Sequence, residues 1–133
     1  ITSINIMNSQ VKEKWIAALR SGEYQQGDGK LRNRDGYCCL GVLCDLYSKE
    51  KNTKWEFRGD DETIHLPMDY WYFDGESEFL PKSVMEWAEI EADCPEVAVE
   101  DEDAGESIYD SIANLNDSGY SFSALSNIIE EQF

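Results

Sequence analysis

The chain has 133 residues, 41% of them hydrophobic, which suits a single domain over residues 1–133 whose core needs no disulfide or metal. Its formal net charge is -17, and the excess lies in residues 67–133, which contain eighteen acids and one base, whereas residues 1–66 contain ten of each. Such a charge repels nucleic acid, so we expect no direct binding to DNA or RNA.

The first predicted element is an amphipathic helix. Asn8 or Ser9 can cap it, because either side chain can accept a hydrogen bond from the first backbone N–H groups. Ser21 and Gly22 end it. Its apolar face consists of Val11, Trp15, Ala18 and Leu19. We expect that face in the core.

The segment that follows is the predicted centre of the fold. Residues 30–32 and 37–40 are expected to pair as a hairpin, since the Asp-Gly pair at its tip supplies the positive φ that a tight turn requires. From residue 42 to 47 the apolar residues follow helical spacing around much of the circumference. We expect this helix to be buried, with Leu46 among its core residues.

Further strands are predicted at residues 55–58, 64–66 and 70–73. These segments are rich in β-branched or aromatic residues and lie between turn residues. Together with the hairpin they indicate a small antiparallel sheet.

The rest of the chain is predicted to be largely helical. Pro81 begins a second long helix that ends at residues 94–95. The acidic run 100–106 is expected as an exposed loop, followed by helices over residues 107–115 and 121–133. The predicted fold class is therefore α+β, a small antiparallel sheet including a hairpin, packed with several helices.

The four cysteines, Cys38, Cys39, Cys44 and Cys94, lack the spacing of a secreted disulfide framework, and we expect free, mostly buried thiols. Cys39 lies before a helix, as the nucleophile of papain-like cell-wall peptidases does. The lone histidine, His65, follows it too closely to match that family's base. Cys38, Cys39, Cys44 and His65 also lack chelating spacing for zinc, so we expect no metal and no cofactor.

The sequence also bears on location. No run reaches the roughly 18 consecutive apolar residues of a membrane span. Residues 1–7 lack the basic start and long apolar stretch of a signal peptide. We expect a cytoplasmic protein that does not contact a membrane.

Two surfaces are candidates for binding. The glycine-rich hairpin could gather Asp28, Arg32, Arg34 and Asp35, and two arginines in so acidic a chain suit an anionic ligand; the alternative is a solvated hairpin. The densest acidic run would attract a basic partner protein; the alternative is that it serves only solubility. The candidate residues of that run are Glu100, Asp101, Glu102, Asp103 and Glu106.

Four blocks of the sequence resemble a known family. They are WIAALRSGEYQQGDGKLR, YCCLGVLCDLY, LPKSVMEWAEI and LNDSGYSFSALSNIIEEQF. In this order they are similar to blocks of a family of small uncharacterised proteins common in tailed bacteriophages and prophages. The resemblance implies an accessory protein of the host cytoplasm and no catalytic residue. Residues 1–6 lie outside it, as an upstream start or a disordered tail.

These observations lead to two hypotheses. The first is a non-enzymatic interaction or inhibitor protein that binds a basic host or phage factor through its acidic C-terminal half. The alternative is a small enzyme or anionic-ligand-binding protein with its site at the glycine-rich hairpin.

Overall fold

A computed structural model of the chain describes residues 5–58, 69–101 and 106–133, with only the backbone described at residues 101, 106 and 107. The predicted strand at 64–66, together with His65, lies outside the described residues, and so do Glu102 and Asp103. The elements are α1 (Ser9–Arg20), β1 (Arg32–Asn33), β2 (Gly36–Tyr37), α2 (Cys39–Lys51), β3 (Glu56–Arg58), β4 (Tyr70–Tyr72), α3 (Lys82–Ala88), β5 (Glu96–Asp101), β6 (Glu106–Ser111), α4 (Ile112–Asp117) and α5 (Phe122–Gln132). The fold is α+β, as predicted.

The strands form two antiparallel sheets. One has the order β2-β1-β4-β3, and the other is the pair β5-β6. In the first sheet, Arg32 lies opposite Tyr37, and Phe57 lies opposite Trp71. The predicted hairpin is therefore present, although its strands are shorter than expected.

The tip of the β1–β2 hairpin is held by a side chain. Oδ1 of Asn33 accepts hydrogen bonds from the N–H groups of Asp35 (3.0 Å) and Gly36 (3.2 Å). Gly36 has a φ of 145°, and a Cβ there would lie 2.1 Å from the carbonyl oxygen of Gln25. Glycine at this position lets the preceding loop lie against the hairpin.

The central helix α2 begins earlier than the sequence predicted. It starts at Cys39, not at residue 42, because Cys38 already adopts the extended N-cap conformation and its carbonyl accepts from the N–H of Val42. A Cβ at Gly41 would lie 1.8 Å from the carbonyl oxygen of Leu31. Glycine here allows the chain at Leu31, just before β1, to cross directly over the first turn of α2, which is fully buried.

The hydrophobic core surrounds α2. Leu43 is completely buried. Leu46 is only half-buried, so it packs against the core but is not the fully buried residue that we expected. Other completely buried side chains in the core are Trp15, Leu31, Leu40, Val42, Val84, Val97, Ile112, Leu125 and Ile129.

α3 and the region that follows it differ most from the prediction. α3 is short rather than long, because Glu89 adopts a left-handed conformation (φ 59°) and the N–H of Ile90 bonds back to the carbonyl of Met85. Residues 96–101 and 106–111 pair as a hairpin, where a loop and the start of a helix were expected. Ser111, not Ser107, caps the next helix by accepting from the N–H of Asn114.

The first described residues and the C-terminal helix meet beside the core. Asn8 caps α1 and Ser121 caps α5, as predicted. The rings of Trp15 and Phe133 pack edge to face with centroids 5.6 Å apart. The N–H of Asn5 donates to the carbonyl of Gln132 at 2.9 Å. In the described parts of the chain, no helix combines the length and the apolar character needed to cross a membrane.

Candidate functional site

The loop before the hairpin lies beside the end of α4 and the turn that follows it, and between them is a cleft of about 400 Å³. The two segments are far apart in the sequence, at residues 26–29 and 116–120. The cleft is lined by Gln26, Gly27, Asp28, Asp35, Asn116, Asp117, Gly119 and Tyr120.

Buried Asn116 holds the two sides of this cleft together. Its Nδ2 donates to the carbonyl of Gly27 (2.9 Å), and its Oδ1 accepts from Nε2 of Gln26 (2.9 Å) and from the N–H of Cys39 (3.2 Å). Gln26 in turn accepts from the N–H of Phe122 (3.1 Å) and donates to the carbonyl of Tyr120 (2.8 Å). One network therefore joins three segments. They are residues 26–29, which we call the glycine loop, the start of α2, and the end of α4 with the turn after it.

The cleft is acidic. Asp28, Asp35 and Asp117 contribute exposed carboxylates to its lining, and Oδ1 of Asp117 accepts from the N–H of Gly29 at 3.0 Å. Among the described residues, no group of three or more acidic, cysteine or histidine side chains is arranged to hold a metal ion. A ligand that suits this lining carries positive charge.

The two arginines proposed for the hairpin do not line the cleft. The guanidinium of Arg32 lies 4.4 Å from the ring centroid of Trp71 and also contacts the rings of Tyr37 (5.1 Å) and Trp55 (5.7 Å). Such contacts stabilise a cation on an aromatic face. Arg32 is thus packed among rings of the sheet and the adjoining chain.

Arg34 is held in a similar way. It lies over the rings of Phe57 (5.1 Å) and Trp71 (5.0 Å) and forms an ion pair with buried Asp69 at 3.3 Å. The structure therefore brings Asp28 and Asp35 together in the cleft and brings both arginines to Trp71. It does not gather all four residues in one place.

The four thiols lie where they serve packing rather than chemistry. Cys38, Cys39 and Cys44 are buried, and burial raises the pKa of each thiol, in Cys38 to about 12. Cys94 is half-buried, and its pKa is also raised by burial. A nucleophilic thiol requires the opposite shift, toward the thiolate at neutral pH. Free, mostly buried thiols were predicted, and this is confirmed.

The acidic run forms part of the β5–β6 hairpin. Glu100 is an exposed residue of β5, and Asp101 and Glu106 face each other in its backbone ladder. Glu102 and Asp103 lie outside the described residues. Three of the five candidate partner-binding residues therefore belong to strands.

One face of this hairpin was not anticipated from the sequence. Tyr109, 65% exposed, lies opposite Ala98, and the exposed Glu96 and Glu100 lie two positions to either side of Ala98. Because side chains two apart in a strand share a face, Tyr109 lies on the same face as both glutamates. The alternation from Glu96 to Glu100 in the sequence is the signal that could have identified this strand.

Fold and site together define a small acidic α+β protein with an acidic cleft and an exposed acidic hairpin. The chain belongs to the family described as Domain of unknown function (DUF8296), whose model matches residues 7–133. No curated protein and no solved structure matches the chain.

Proposed function

We propose that this protein is a non-enzymatic interaction protein that binds a basic partner protein through its acidic C-terminal half. The observation that carries the proposal is the outer face of the β5–β6 hairpin, where exposed Tyr109 lies beside Glu96 and Glu100. Tyrosine supplies a large contact area at low entropic cost, and the carboxylates attract lysine and arginine.

The charge distribution supports the same partner. Residues 67–133 contain Lys82 as their one base among eighteen acids. Such an excess steers a basic protein toward this half of the molecule and speeds the encounter. The cleft lined by Asp28, Asp35 and Asp117 has the same sign of charge.

The alternative, a small enzyme or a protein that binds an anionic ligand at the hairpin, is less well supported. Arg32 and Arg34 are the cations that such a ligand would need. Arg34 already pairs with Asp69, and both arginines pack on Trp71. An anion would also approach a cleft lined by carboxylates.

The resemblance to phage and prophage proteins suggests a setting for this interaction. We propose that the protein is a phage-type accessory or inhibitor protein that acts in the cytoplasm of the host. Its partner is then a basic host or phage factor, which the acidic half would occupy.

The experiment compares two variants with equal net charge. Glu96→Lys/Glu100→Lys reverses the hairpin face, and Glu13→Lys/Glu23→Lys reverses two other exposed acids whose side chains have no ion pair with another described residue. Each immobilised protein is incubated with lysate of infected host cells at low and moderate salt, and captured proteins are identified.

We expect a basic protein that is captured by the wild type and by the control variant but lost from the hairpin variant. Its capture should fall with salt, because the Debye length shrinks from about 10 Å at 0.1 M to about 3 Å at 1 M. Equal capture by both variants would contradict the proposed role of the hairpin. Salt-resistant capture would contradict the electrostatic basis.

A further inference from the structure

The pairing of the β5–β6 hairpin fixes which of its backbone groups point outward. In an antiparallel ladder, pairs that exchange two hydrogen bonds alternate with pairs that exchange none. The N–H of Ala98 donates to Oε1 of Gln132 (2.7 Å), and its carbonyl accepts from Nε2 of Gln132 (2.8 Å). Ala98 therefore forms no ladder bonds with its partner Tyr109, and the N–H and carbonyl of Tyr109 point away from β5.

The two outer edges of the hairpin differ. The edge of β5 is closed by Gln132 at Ala98, and by Nδ2 of Asn5, which donates to the carbonyl of Glu96 at 2.8 Å. Within the described residues, β6 pairs with β5 alone, and the backbone of Tyr109 bonds to no other residue. Open strand edges are templates for a further strand.

We propose that the edge of β6 receives an extended basic segment of the partner protein as a third strand, paired through the backbone of Tyr109. This inference rests on the proposed function and specifies how the partner binds. Main-chain hydrogen bonds to an exposed edge supply affinity in this mode, and alternate side chains supply specificity.

The side chains beside the edge define the chemistry of the segment. A residue placed opposite Tyr109 shares its face with Glu96 and Glu100, where a lysine or arginine contacts an aromatic ring and is attracted by two carboxylates. The next residues of the added strand point to the opposite face, where Ile108 is 46% exposed. The expected segment therefore alternates basic with apolar residues.

A second copy of this chain is a poorer occupant. Each copy carries a net charge of -17, all of it in the half that contains β6. Pairing two β6 edges would bring these halves together, and like charges across an interface oppose association.

Two synthetic peptides serve as probes. The first is Lys-Val-Lys-Thr-Lys-Val-Lys, which can form a strand with lysines on one face. The second has the same sequence and charge but is methylated at the backbone nitrogen of every residue after the first, so it cannot donate the hydrogen bonds of a strand. Binding is measured by titration, and hydrogen exchange of the Tyr109 amide is followed by NMR with and without peptide.

Two variants separate the backbone of Tyr109 from its side chain. Tyr109→Pro removes the outward N–H, which the β5–β6 ladder does not use, so proline is compatible with this edge position. Tyr109→Thr keeps the N–H and shortens the side chain. Thermal unfolding of each variant verifies that it is folded.

We expect the unmodified peptide to bind at least about tenfold more tightly than the methylated peptide and to protect the Tyr109 amide. Tyr109→Pro should lose about tenfold in affinity, and Tyr109→Thr should lose less. An unprotected Tyr109 amide in the wild-type complex would overturn the inference, even if the proline variant failed to fold.

Other outcomes distinguish this inference from the proposed function. Equal binding of the two peptides, both abolished by Glu96→Lys/Glu100→Lys, would overturn strand addition but support an acidic binding face. If neither Tyr109→Pro nor Glu96→Lys/Glu100→Lys lost binding, the result would contradict both the inference and the proposed function. Protection that grows with protein concentration in the absence of peptide would identify a second copy as the occupant and overturn the inference.

Discussion

Gln26 and Asn116 are joined by a hydrogen bond of 2.9 Å between Nε2 of the first and Oδ1 of the second, although ninety positions separate them in the chain. Asn116 also binds the carbonyl of Gly27 and the N–H of Cys39. The amide of Asn116, at the end of α4, thus fixes residues 26–27 relative to the start of the central helix.

Asn116→Ala should destabilise the protein by about 3 kcal/mol, because it leaves a buried N–H at Cys39 and a carbonyl at Gly27 without their partner. The control is Asn114→Ala, which removes an exposed side chain bonded to Asp110, and should cost about 0.5 kcal/mol. Chemical denaturation of both variants measures the difference. Equal losses would show that the buried network does not hold the fold.

Leu43→Ala should cost about 2 to 5 kcal/mol, the usual range for emptying a packed site in a core. Leu43 is completely buried in α2, whereas Leu46, one turn further, is half-buried. Leu46→Ala should therefore cost clearly less. If denaturation gave the opposite order, the assignment of the buried face of α2 would be wrong.

The buried thiols should make the protein less stable in alkali. Burial raises the pKa of Cys38 to about 12, above the value of about 8.5 in an unfolded chain, and the pKa values of Cys39 and Cys44 are also raised. Above pH about 8.5 the unfolded state loses thiol protons that the folded state keeps, so the free energy of unfolding falls as pH rises toward 12. At neutral pH both states are protonated and this contribution is fully present.

Replacing one of these cysteines tests whether the buried thiols cause the loss of stability in alkali. Cys44→Ala should reduce the alkaline loss of stability while lowering stability at pH 7, and denaturation between pH 7 and 10 measures both. An unchanged slope in the variant would assign the alkaline effect to groups other than Cys44, such as the buried thiols of Cys38 and Cys39, whose pKa values are also raised.

Thiol labelling provides a separate test of accessibility. Cys94 is half-buried and the other three cysteines are buried, so one thiol per molecule should react first with a disulfide reagent near neutral pH. The rest should react only as the protein opens. Rapid labelling of Cys38, Cys39 or Cys44 in the folded protein would contradict their structural role.

Local patterns predicted the helices with strong periodicity and clear caps. Asn8 and Ser121 accept the hydrogen bonds expected of them, and the apolar stripes that follow pack in the core. The hairpin at Arg32–Asn33 was also predicted, since its Asp-Gly turn is a strong local signal. These features depend on residues a few positions apart.

The errors arose where distant contacts decide the structure. The alternating residues of β5 adjoin an acidic run that was predicted to be a loop. In the structure Val97 is 0% exposed, which shows which face of β5 packs inward. The cleft could not be predicted because Gln26 and Asn116 meet only when α4 docks beside the glycine loop. Asp28 and Arg32 were expected to lie together, but Arg32 packs on the ring of Trp71, which is far from it in the sequence.

The last prediction concerns Arg32 and Arg34, which separate the two functional hypotheses. Arg34→Ala should cost about 3 kcal/mol because Asp69, which is buried, loses its ion pair. Arg32→Lys keeps the charge but loses the planar contact with Trp71, and should cost about 0.5 to 1 kcal/mol. Both are measured by denaturation.

Under the interaction hypothesis, the double variant Arg32→Lys/Arg34→Lys should still capture the basic partner as the wild type does, at a temperature where both are folded. Its charge is unchanged, so a difference in capture cannot come from long-range attraction. An anionic-ligand site would instead depend on the paired N–H groups of the guanidinium, which lysine does not reproduce. Loss of capture or of activity in infected cells by this variant, with the hairpin charge reversal at Glu96 and Glu100 having no effect, would reverse the order of the two hypotheses.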